Sequence, residues 1–246
     1  KNFYINGKWV SPTEPRNHKV IDPSNEEPCA EISLGGKKDV DKAVGAAKKA
    51  FETWAFSKKE ERLELLEKLY IIYKKRWAEM AKLITLEMGA PMKFSTEMQA
   101  ATGASHIKSF KNILKDFKFE KDLGEEKNNQ KLLYEPKGVC ALITPWNWPI
   151  NQVNLKVIPA LASGCTVILK PSEIAPLSSM LLAEMIDEAK FPAGIFNLIN
   201  GDGAITGDAL TSHPDINMIS FTGSTRAGAL ISQNAAKDFK RISLEL

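Results

Sequence analysis

The sequence predicts an α/β fold in which helices cover both faces of a parallel β-sheet, and three observations carry this prediction. Five apolar stretches after residue 138 have the character of strands: VCALIT, TVILKP, IFNLIN, NMISFTG and RISLEL. Segments with helical periodicity, such as 153–162 and 177–189, lie between them. Uninterrupted apolar strands that alternate with helices are typical of a parallel sheet buried on both faces. A helix-rich first part and a polar stretch precede this region. We therefore divide the chain into 1–116, 117–137 and 138–246.

The first part, 1–116, begins with a predicted β-hairpin. In FYINGKWV the turn-forming pair Asn6-Gly7 lies between apolar flanks, which is a strong hairpin signal. The next stretch has apolar residues at helical spacing from Val40 to Phe51, which predicts an amphipathic helix. Only structural roles are expected for these elements.

Two further helices are predicted before residue 116. Ser57 with Glu60 three residues later matches a capping box and predicts a helix start. The helix should continue through Leu65, Leu69, Ile72 and Leu83 to a stop at Gly89, with Pro91 beyond it. Another helix is expected from about Met92 to Leu114.

The polar stretch 117–137 predicts either a solvated loop or a projecting β-hairpin arm. Asn128-Asn129 has the composition of a turn, and KLLYEP that of a short strand. An isolated two-stranded arm cannot bury its own surface, so such an arm usually pairs with another subunit. The stretch is therefore a candidate oligomerisation element.

The composition excludes several classes of protein. Apolar residues make up 43 % of the chain, charged residues 26 %, and the net charge is +3, which is typical of a globular protein. The lysine pairs on predicted helices indicate solvated faces, so no nucleic-acid partner is expected. The sequence shows no signal-peptide pattern and no apolar run near the roughly 18 residues needed to cross a membrane, so neither export nor a membrane partner is expected.

Three scattered cysteines, Cys29, Cys140 and Cys165, predict neither a disulfide framework nor a metal site. The three histidines, His18, His106 and His213, are also isolated in the sequence. These patterns favour a reducing, cytoplasmic setting and no metal.

The residues with unusual chemistry follow the predicted strands. Right-handed crossovers place the carboxyl ends of parallel strands at one edge of the sheet, where small ligands bind. The sequence therefore predicts a small-molecule site at this edge, built from Asn147, Lys170, Glu173, Gly201, Gly203, Thr222, Gly223, Ser224 and Glu245.

Two glycine-rich turns are candidate phosphate sites. In FTGSTRAG, Gly223 allows close approach of a ligand, Ser224 offers a hydroxyl, and the next helix presents free N–H groups. The alternative is a plain strand-to-helix turn in which Ser224 caps the helix. The motif is not the GxGxxG fingerprint. The neighbouring NGDGAITG turn supplies Gly203 and Gly207.

The segment ILKPSE places Lys170 and Glu173 after a strand. The lysine and the carboxylate suit the hydroxyl groups of an adenosine ribose, and a carboxylate there disfavours a 2′-phosphate, which favours NAD over NADP. The alternative is an exposed ion pair of little consequence.

Two residues have candidate catalytic roles. Asn147 lies in TPWNWP, where prolines and tryptophans restrict the loop, and an asparagine amide is an effective oxyanion donor. The alternative is a turn asparagine between packed rings. Glu245 in SLEL is a candidate general base if its strand end is buried; a surface glutamate on an edge strand is the alternative.

Taken together, these motifs resemble the N-terminal half of the NAD(P)-dependent aldehyde dehydrogenase superfamily. The resemblance covers the whole chain, from INGKWV through TPWNWP, GCTVILKPSE, FPAGIFNLINGDG and ISFTGSTRAG to LEL. It implies a Rossmann-like coenzyme-binding core at 138–246, an oligomerisation arm at 117–137, and a homodimer or homotetramer.

The resemblance also implies roles for individual residues. Asn147 would stabilise the oxyanion of a thiohemiacetal, and Glu245 would activate water. Residues that would contact the coenzyme, NAD or by extension NADP, are Ile143, Thr144, Pro145, Trp146, Lys170, Glu173, Gly203, Gly207, Phe221, Thr222, Gly223, Ser224 and Leu246.

The chain departs from the family pattern at its end. Family members continue into a Gly-Gly-Lys segment and a catalytic domain that carries the nucleophilic cysteine, and the sequence stops at Leu246 before both. We therefore expect the complete protein to oxidise an aldehyde to a carboxylic acid, and the given chain to be an inactive coenzyme-binding half. The alternatives are a CoA-acylating relative and a non-catalytic nucleotide-binding or oligomerisation fragment.

Overall fold

The computed structural model describes residues 2–124 and 130–246. Its strands are β1 (Phe3–Ile5), β2 (Lys8–Val10), β3 (Asn17–Asp22), β4 (Glu27–Ser33), β5 (Glu120–Asp122), β6 (Lys131–Leu133), β7 (Val139–Ile143), β8 (Thr166–Lys170), β9 (Phe196–Leu198), β10 (Met218–Thr222) and β11 (Arg241–Glu245). The described strands form a seven-stranded sheet in the order β11-β10-β7-β8-β9-β1-β2 and two separate pairs, β3-β4 and β5-β6.

The helices of the described residues alternate with these strands. They are α1 (Lys37–Trp54), α2 (Lys59–Lys75), α3 (Trp77–Met88), α4 (Met92–Phe94), α5 (Ala100–Asp116), α6 (Pro149–Ser163), α7 (Leu177–Glu188), α8 (Asp208–Ser212) and α9 (Thr225–Ala236), with π-helical turns at Ser95–Gln99 and Gly203–Gly207. Within the described part of the chain, none of them has the length and apolar character to cross a lipid bilayer.

The predicted α/β fold is confirmed. Strands β7 to β11 pair in parallel, and their register brings Ile143 opposite Lys170 and Thr222 opposite Glu245. The carboxyl ends of these strands therefore lie at one edge of the sheet. The predicted N-terminal hairpin is also present, and it joins the sheet through an antiparallel contact between Tyr4 and Leu198. No motif in the sequence predicts that contact.

Alternation along the strands divides the core into two layers. On β7, Cys140 and Leu142 face the layer formed with helices α2, α3, α5, α6 and α7. Ala141 and Ile143 face the second layer, which contains residues of α1, α8 and α9. All four side chains are buried. Strands that bury both faces read as continuous apolar runs, which is why the sequence identified them.

The predicted capping box at Ser57 is wrong. Helix α2 begins at Lys59, and its N-cap residue Lys58 makes no side-chain capping bond. The Ser57 hydroxyl instead donates to the carbonyl of Trp54 at 2.6 Å and accepts from Nε of Arg62 at 2.8 Å. A contact with the arginine side chain therefore replaces the predicted cap.

The helix predicted to continue to Gly89 is interrupted. Arg76 leaves the helical conformation, with φ −99° and ψ 17°, and separates α2 from α3. The predicted stop is confirmed, because Gly89 ends α3 in the left-handed conformation at φ 78°. The helix predicted after Met92 is present but contains the π-helical turn Ser95–Gln99.

The segment 117–137 contains a two-stranded antiparallel pair, β5 with β6. The predicted turn at Asn128-Asn129 lies outside the described residues. The strands are exposed along their length, and Leu133 is 57 % exposed. The rings of Phe117 and Tyr134 pack at 5.2 Å at the base of the pair. The projecting arm is therefore present, and its role in assembly stays a prediction.

Arg62 joins separate helices from a buried position. Its guanidinium donates to the carbonyls of Ala55 and Ser57 after α1, at 3.1 and 3.0 Å, and to Ala162 of α6 at 3.4 Å. Gly164 makes room for it, since a Cβ there would lie 2.6 Å from a guanidinium nitrogen. The same group lies over the rings of Trp54 and Phe119. The contact with Phe119 connects the base of the arm to the helical layer.

Candidate functional site at the carboxyl edge of the sheet

A pocket of about 320 Å³ opens at the carboxyl edge of the sheet. The turn Gly203–Gly207 and α8 form one wall, and α9 forms the other. Six of the residues predicted to contact a coenzyme line it: Ile143, Lys170, Gly203, Gly207, Phe221 and Ser224. The structure therefore gathers residues from four separate motifs around one cavity.

The glycines at the carboxyl edge of the sheet differ in what a side chain would meet at each position. A Cβ on Gly223 would lie 2.4 Å from the ring of Phe221, so the strand-to-helix turn closes only without a side chain. A Cβ on Gly201 would lie 2.0 Å from the Thr206 hydroxyl. A Cβ on Gly203 would meet no atom within 4 Å. Gly203 thus borders open space in the pocket, which fits close approach of a ligand.

Ser224 caps the helix that follows it. Its Oγ accepts a hydrogen bond from the Ala227 N–H at 3.3 Å, so the plain capping alternative is realised. The hydroxyl hydrogen is still available for donation to a ligand, because the serine oxygen acts here as an acceptor. The first N–H groups of α9 lack partners within the helix and face the same end, which suits a phosphate.

Lys170 makes hydrogen bonds within the protein that the sequence did not predict. Its buried ammonium donates to the carbonyls of Pro171 at 2.8 Å and Gly201 at 2.6 Å. The carboxylate of Glu173 lies 3.7 Å away. Burial lowers the pKa of Lys170, and the charges of Glu173 and Asp202 oppose that shift. The lysine therefore holds two loops together, and beyond these two bonds its ammonium lies beside the carboxylate of Glu173.

The remaining predicted coenzyme residues do not line this pocket. The hydroxyls of Thr144 and Thr222 are buried and have no hydrogen-bond partner among the described residues. Pro145 is half-buried, and Trp146 is 48 % exposed. Unpaired buried hydroxyls are uncommon, and these two threonines directly follow the pocket residues Ile143 and Phe221 in the chain.

Leu246 and Glu173 lie apart from the pocket lining as well. A Cβ on Gly228 would come within 2.5 Å of the Leu246 side chain, so this leucine packs against α9. Glu173 is partly exposed beside Lys170. Both remain predictions as coenzyme contacts.

Asn147 lies in a stiff loop and is exposed. Within the described part of the chain its amide has no hydrogen-bond partner. The Trp148 ring packs edge-on against Phe94 at 5.4 Å, and Pro149 is the first residue of α6. Trp146 is not packed in this way, so only one of the two predicted tryptophan supports is present. The loop therefore presents a side-chain amide that has no hydrogen-bond partner among the described residues.

Glu245 lines a second cavity, a groove of about 540 Å³ between α6 and the strands β10 and β11. It is exposed on the edge strand, which is the alternative that the sequence left open, and not at a buried strand end. Lys156 lines the same groove and donates to the Ser220 hydroxyl at 3.2 Å. Burial lowers the pKa of Lys156, and the charge of Glu245 opposes the shift. No motif in the sequence indicated Lys156.

Cys140 lies near the start of β7, and Cys165 lies directly before β8. Cys140 and Cys165 are buried free thiols, and hydrogen bonding to Cys140 lowers the pKa of Cys165 to about 6. Cys165 precedes β8, whereas Lys170 ends it at the candidate site. A five-residue strand spans roughly 16 Å, so this thiol lies at the opposite edge of the sheet from Lys170.

A parallel sheet with helices on both faces and a ligand-sized pocket at its carboxyl edge defines an α/β protein of the Rossmann-like class. The sequence profile described as the aldehyde dehydrogenase family matches residues 9–246. The chain belongs to this family.

Relatives and solved structures are consistent with this assignment. A 3-succinoylsemialdehyde-pyridine dehydrogenase from a Pseudomonas species is 49 % identical over 247 residues, covering 100 % of the chain and 51 % of that protein. An aldehyde dehydrogenase structure from Bartonella henselae is 58 % identical with a TM-score of 0.97, covering 100 % of the chain and 52 % of its own. The chain thus spans about half the length of the relatives it matches.

A third similar structure contains ligands. It is a mutant of aldehyde dehydrogenase C from Pseudomonas syringae in complex with NAD+ and octanal. Its sequence is 44 % identical, its TM-score is 0.97, and the match covers 100 % of the chain and 50 % of that structure.

Proposed function

We propose that the chain is the coenzyme-binding half of an NAD(P)-dependent aldehyde dehydrogenase that oxidises an aldehyde to a carboxylic acid. The observation that carries this proposal is the pocket that joins Lys170, Gly203, Phe221 and Ser224 at the carboxyl edge of the sheet. Ligands of open α/β sheets bind at this edge. The NAD+ complexes of similar proteins support the choice of ligand.

Three features of the pocket support an adenosine dinucleotide as the ligand. Open space beside Gly203 admits a close ligand, the first turn of α9 suits a phosphate, and the Lys170 ammonium lies beside the carboxylate of Glu173. That carboxylate favours NAD, because it repels a 2′-phosphate. When bound, NAD accepts the two electrons and the hydrogen that leave the aldehyde carbon.

Asn147 acts as an oxyanion donor in this proposal. Its amide is uncommitted, and the backbone on its carboxyl side is fixed by the packed Trp148 and by Pro149. A preorganised donor stabilises the charge that develops on the carbonyl oxygen without reorganisation during the reaction. The attacking thiolate would come from a cysteine outside the given residues, since Cys140 and Cys165 are buried in the core and Cys29 lies on β4, outside the main sheet.

Glu245 acts as the base that removes a proton from water. The carboxylate is exposed in a groove that also contains Lys156. A base at this position favours hydrolysis of an acyl intermediate over transfer to CoA. Analysis of the products with and without CoA separates the two reactions.

The arm formed by β5 and β6 is proposed to pair subunits into a homodimer or homotetramer. It exposes Leu133 and Tyr134 to 57 and 40 %, and it lies outside the main sheet. Replacing Leu133 by Asp should lower the oligomeric state in sedimentation experiments if this assignment is correct. An unchanged assembly would exclude the arm as the contact.

The main experiment compares binding and turnover. The chain as given should bind NAD saturably in calorimetry, and it should reduce no NAD in the presence of acetaldehyde. The complete protein should turn over acetaldehyde and release acetate. Absence of NAD binding to the chain would contradict the coenzyme site, and turnover by the chain alone would contradict the need for an external cysteine.

A further inference from the structure

Arg226 is a cation at the coenzyme pocket to which the sequence assigned no role. It lies in the first turn of α9, is exposed, and lines the pocket with Lys170 and Ser224. Throughout residues 2–124 and 130–246, no hydrogen bond or ion pair engages its guanidinium. An arginine in this state is available for a ligand.

The other polar groups of the pocket wall already make hydrogen bonds within the protein. Lys170 donates to two carbonyls, and Ser224 accepts the capping bond. Asp208 accepts from the amide of Asn234 at 2.9 Å. Among the described lining residues, Arg226 therefore supplies the uncommitted positive charge.

We infer that Arg226 binds a phosphate group of the adenosine coenzyme, an inference that rests on the proposed function. A guanidinium presents paired donors that match phosphate oxygens. Its position in the first turn of α9 adds the charge to the positive end of the helix dipole. Both the diphosphate shared by NAD and NADP and the 2′-phosphate of NADP offer this chemistry.

Glu173 does not exclude the 2′-phosphate of NADP. Its carboxylate lies 3.7 Å from the Lys170 ammonium, which offsets part of its charge. An additional cation at the pocket would lower the repulsion of a 2′-phosphate further. Arg226 is then a residue that sets how strongly the pocket accepts each phosphate.

The test measures binding of three probes to the chain. ADP carries the diphosphate, 2′-AMP carries only the 2′-phosphate, and adenosine carries neither. Arg226→Gln should weaken ADP or 2′-AMP roughly tenfold at low salt and leave adenosine unchanged. The probe whose binding is weakened shows whether Arg226 contacts the diphosphate or the 2′-phosphate. Arg226→Lys should restore part of the loss.

Arg241→Gln is the matched control. Arg241 is exposed at the start of β11, at the opposite edge of the sheet, so its removal changes the net charge equally without altering the pocket. Unchanged binding of both phosphate probes to Arg226→Gln, an equal loss for adenosine, or an equal effect of Arg241→Gln would overturn the inference. Failure of the parent chain to bind ADP and NAD would overturn the proposed coenzyme pocket as well.

Discussion

The ammonium of Lys170 donates a hydrogen bond of 2.6 Å to the carbonyl oxygen of Gly201. The bond joins the end of β8 to the glycine-rich turn after β9, and both residues are buried. The lysine expected to bind a ribose is thus also a structural tie that shapes the pocket wall.

Replacing Lys170 by Met should lower both stability and coenzyme affinity. The carbonyls of Pro171 and Gly201 would lose their donor, and an unsatisfied buried carbonyl costs about 1–3 kcal/mol. We expect the free energy of unfolding in urea to fall by roughly 2 kcal/mol and NAD to bind more weakly. The exposed control Lys82→Met should change little, and equal stabilities of the two variants would show that the tie is unimportant.

Two glycine substitutions should separate folding from binding. Gly203→Ala places its methyl group in open pocket space, so stability should hold while NAD affinity falls about tenfold. Gly223→Ala forces the Phe221 ring away and should lower stability by about 1–3 kcal/mol as well. Thermal unfolding and calorimetry measure both effects. Unchanged NAD affinity in Gly203→Ala would place the ligand elsewhere.

Glu87 should make stability depend on pH. This buried carboxyl accepts the backbone N–H groups of Leu177 and Ser178 at the start of α7, and burial raises its pKa from 4.5 to about 7. At pH values between these two pKa values, the folded state binds more protons than the unfolded state. Stability should therefore fall as pH rises from about 4.5 to 7, by roughly 3 kcal/mol.

Urea unfolding at pH values across this range measures the slope. Glu87→Gln removes the titrating group and should remove this part of the pH dependence, although the helix loses a charged cap worth about 1 kcal/mol. The same slope in the variant would show that another group controls it.

Asn147→Ala should lower the turnover of the complete protein by about 10²–10³. The side chain is exposed and has no partner in the described part of the chain, so the unfolding midpoint should not move. Stopped-flow measurement of NADH formation reports the step directly. A rate within twofold of the parent would remove the oxyanion role of this amide.

Glu245→Gln should slow release of the carboxylic acid and leave NAD binding intact, because Glu245 lies in the groove with Lys156 and outside the coenzyme pocket. A first-turnover burst of NADH followed by slow steady-state turnover is the expected pattern. An unchanged steady state would contradict its assignment as the base.

The sequence predicted the parallel core well because a strand buried on both faces can be recognised from its own residues. Strands such as β7 and β8 bury both faces and read as apolar runs, and parallel pairing then brings their ends to one edge. Motifs far apart in sequence, at Lys170 and Ser224, consequently meet in one pocket.

The errors arose where a side-chain contact outside the recognised motif decided the local structure. Arg62 occupies the Ser57 hydroxyl that the motif assigned to a helix cap. Lys156 lies on α6 without a motif, and only packing against Ser220 brings it to the groove of Glu245. Contacts of this kind depend on the assembled fold and leave no spacing in the sequence.

The hydrogen bonds of the Arg62 guanidinium have a consequence for local unfolding. One guanidinium donates to carbonyls in the connection between α1 and α2 and in α6, and it lies over the ring of Phe119 at the base of the arm. Those segments cannot detach one at a time without leaving the buried cation short of acceptors. They should behave as a single cooperative opening unit, so amide hydrogens at the end of α1, the end of α6 and the arm base should exchange with solvent at a common rate.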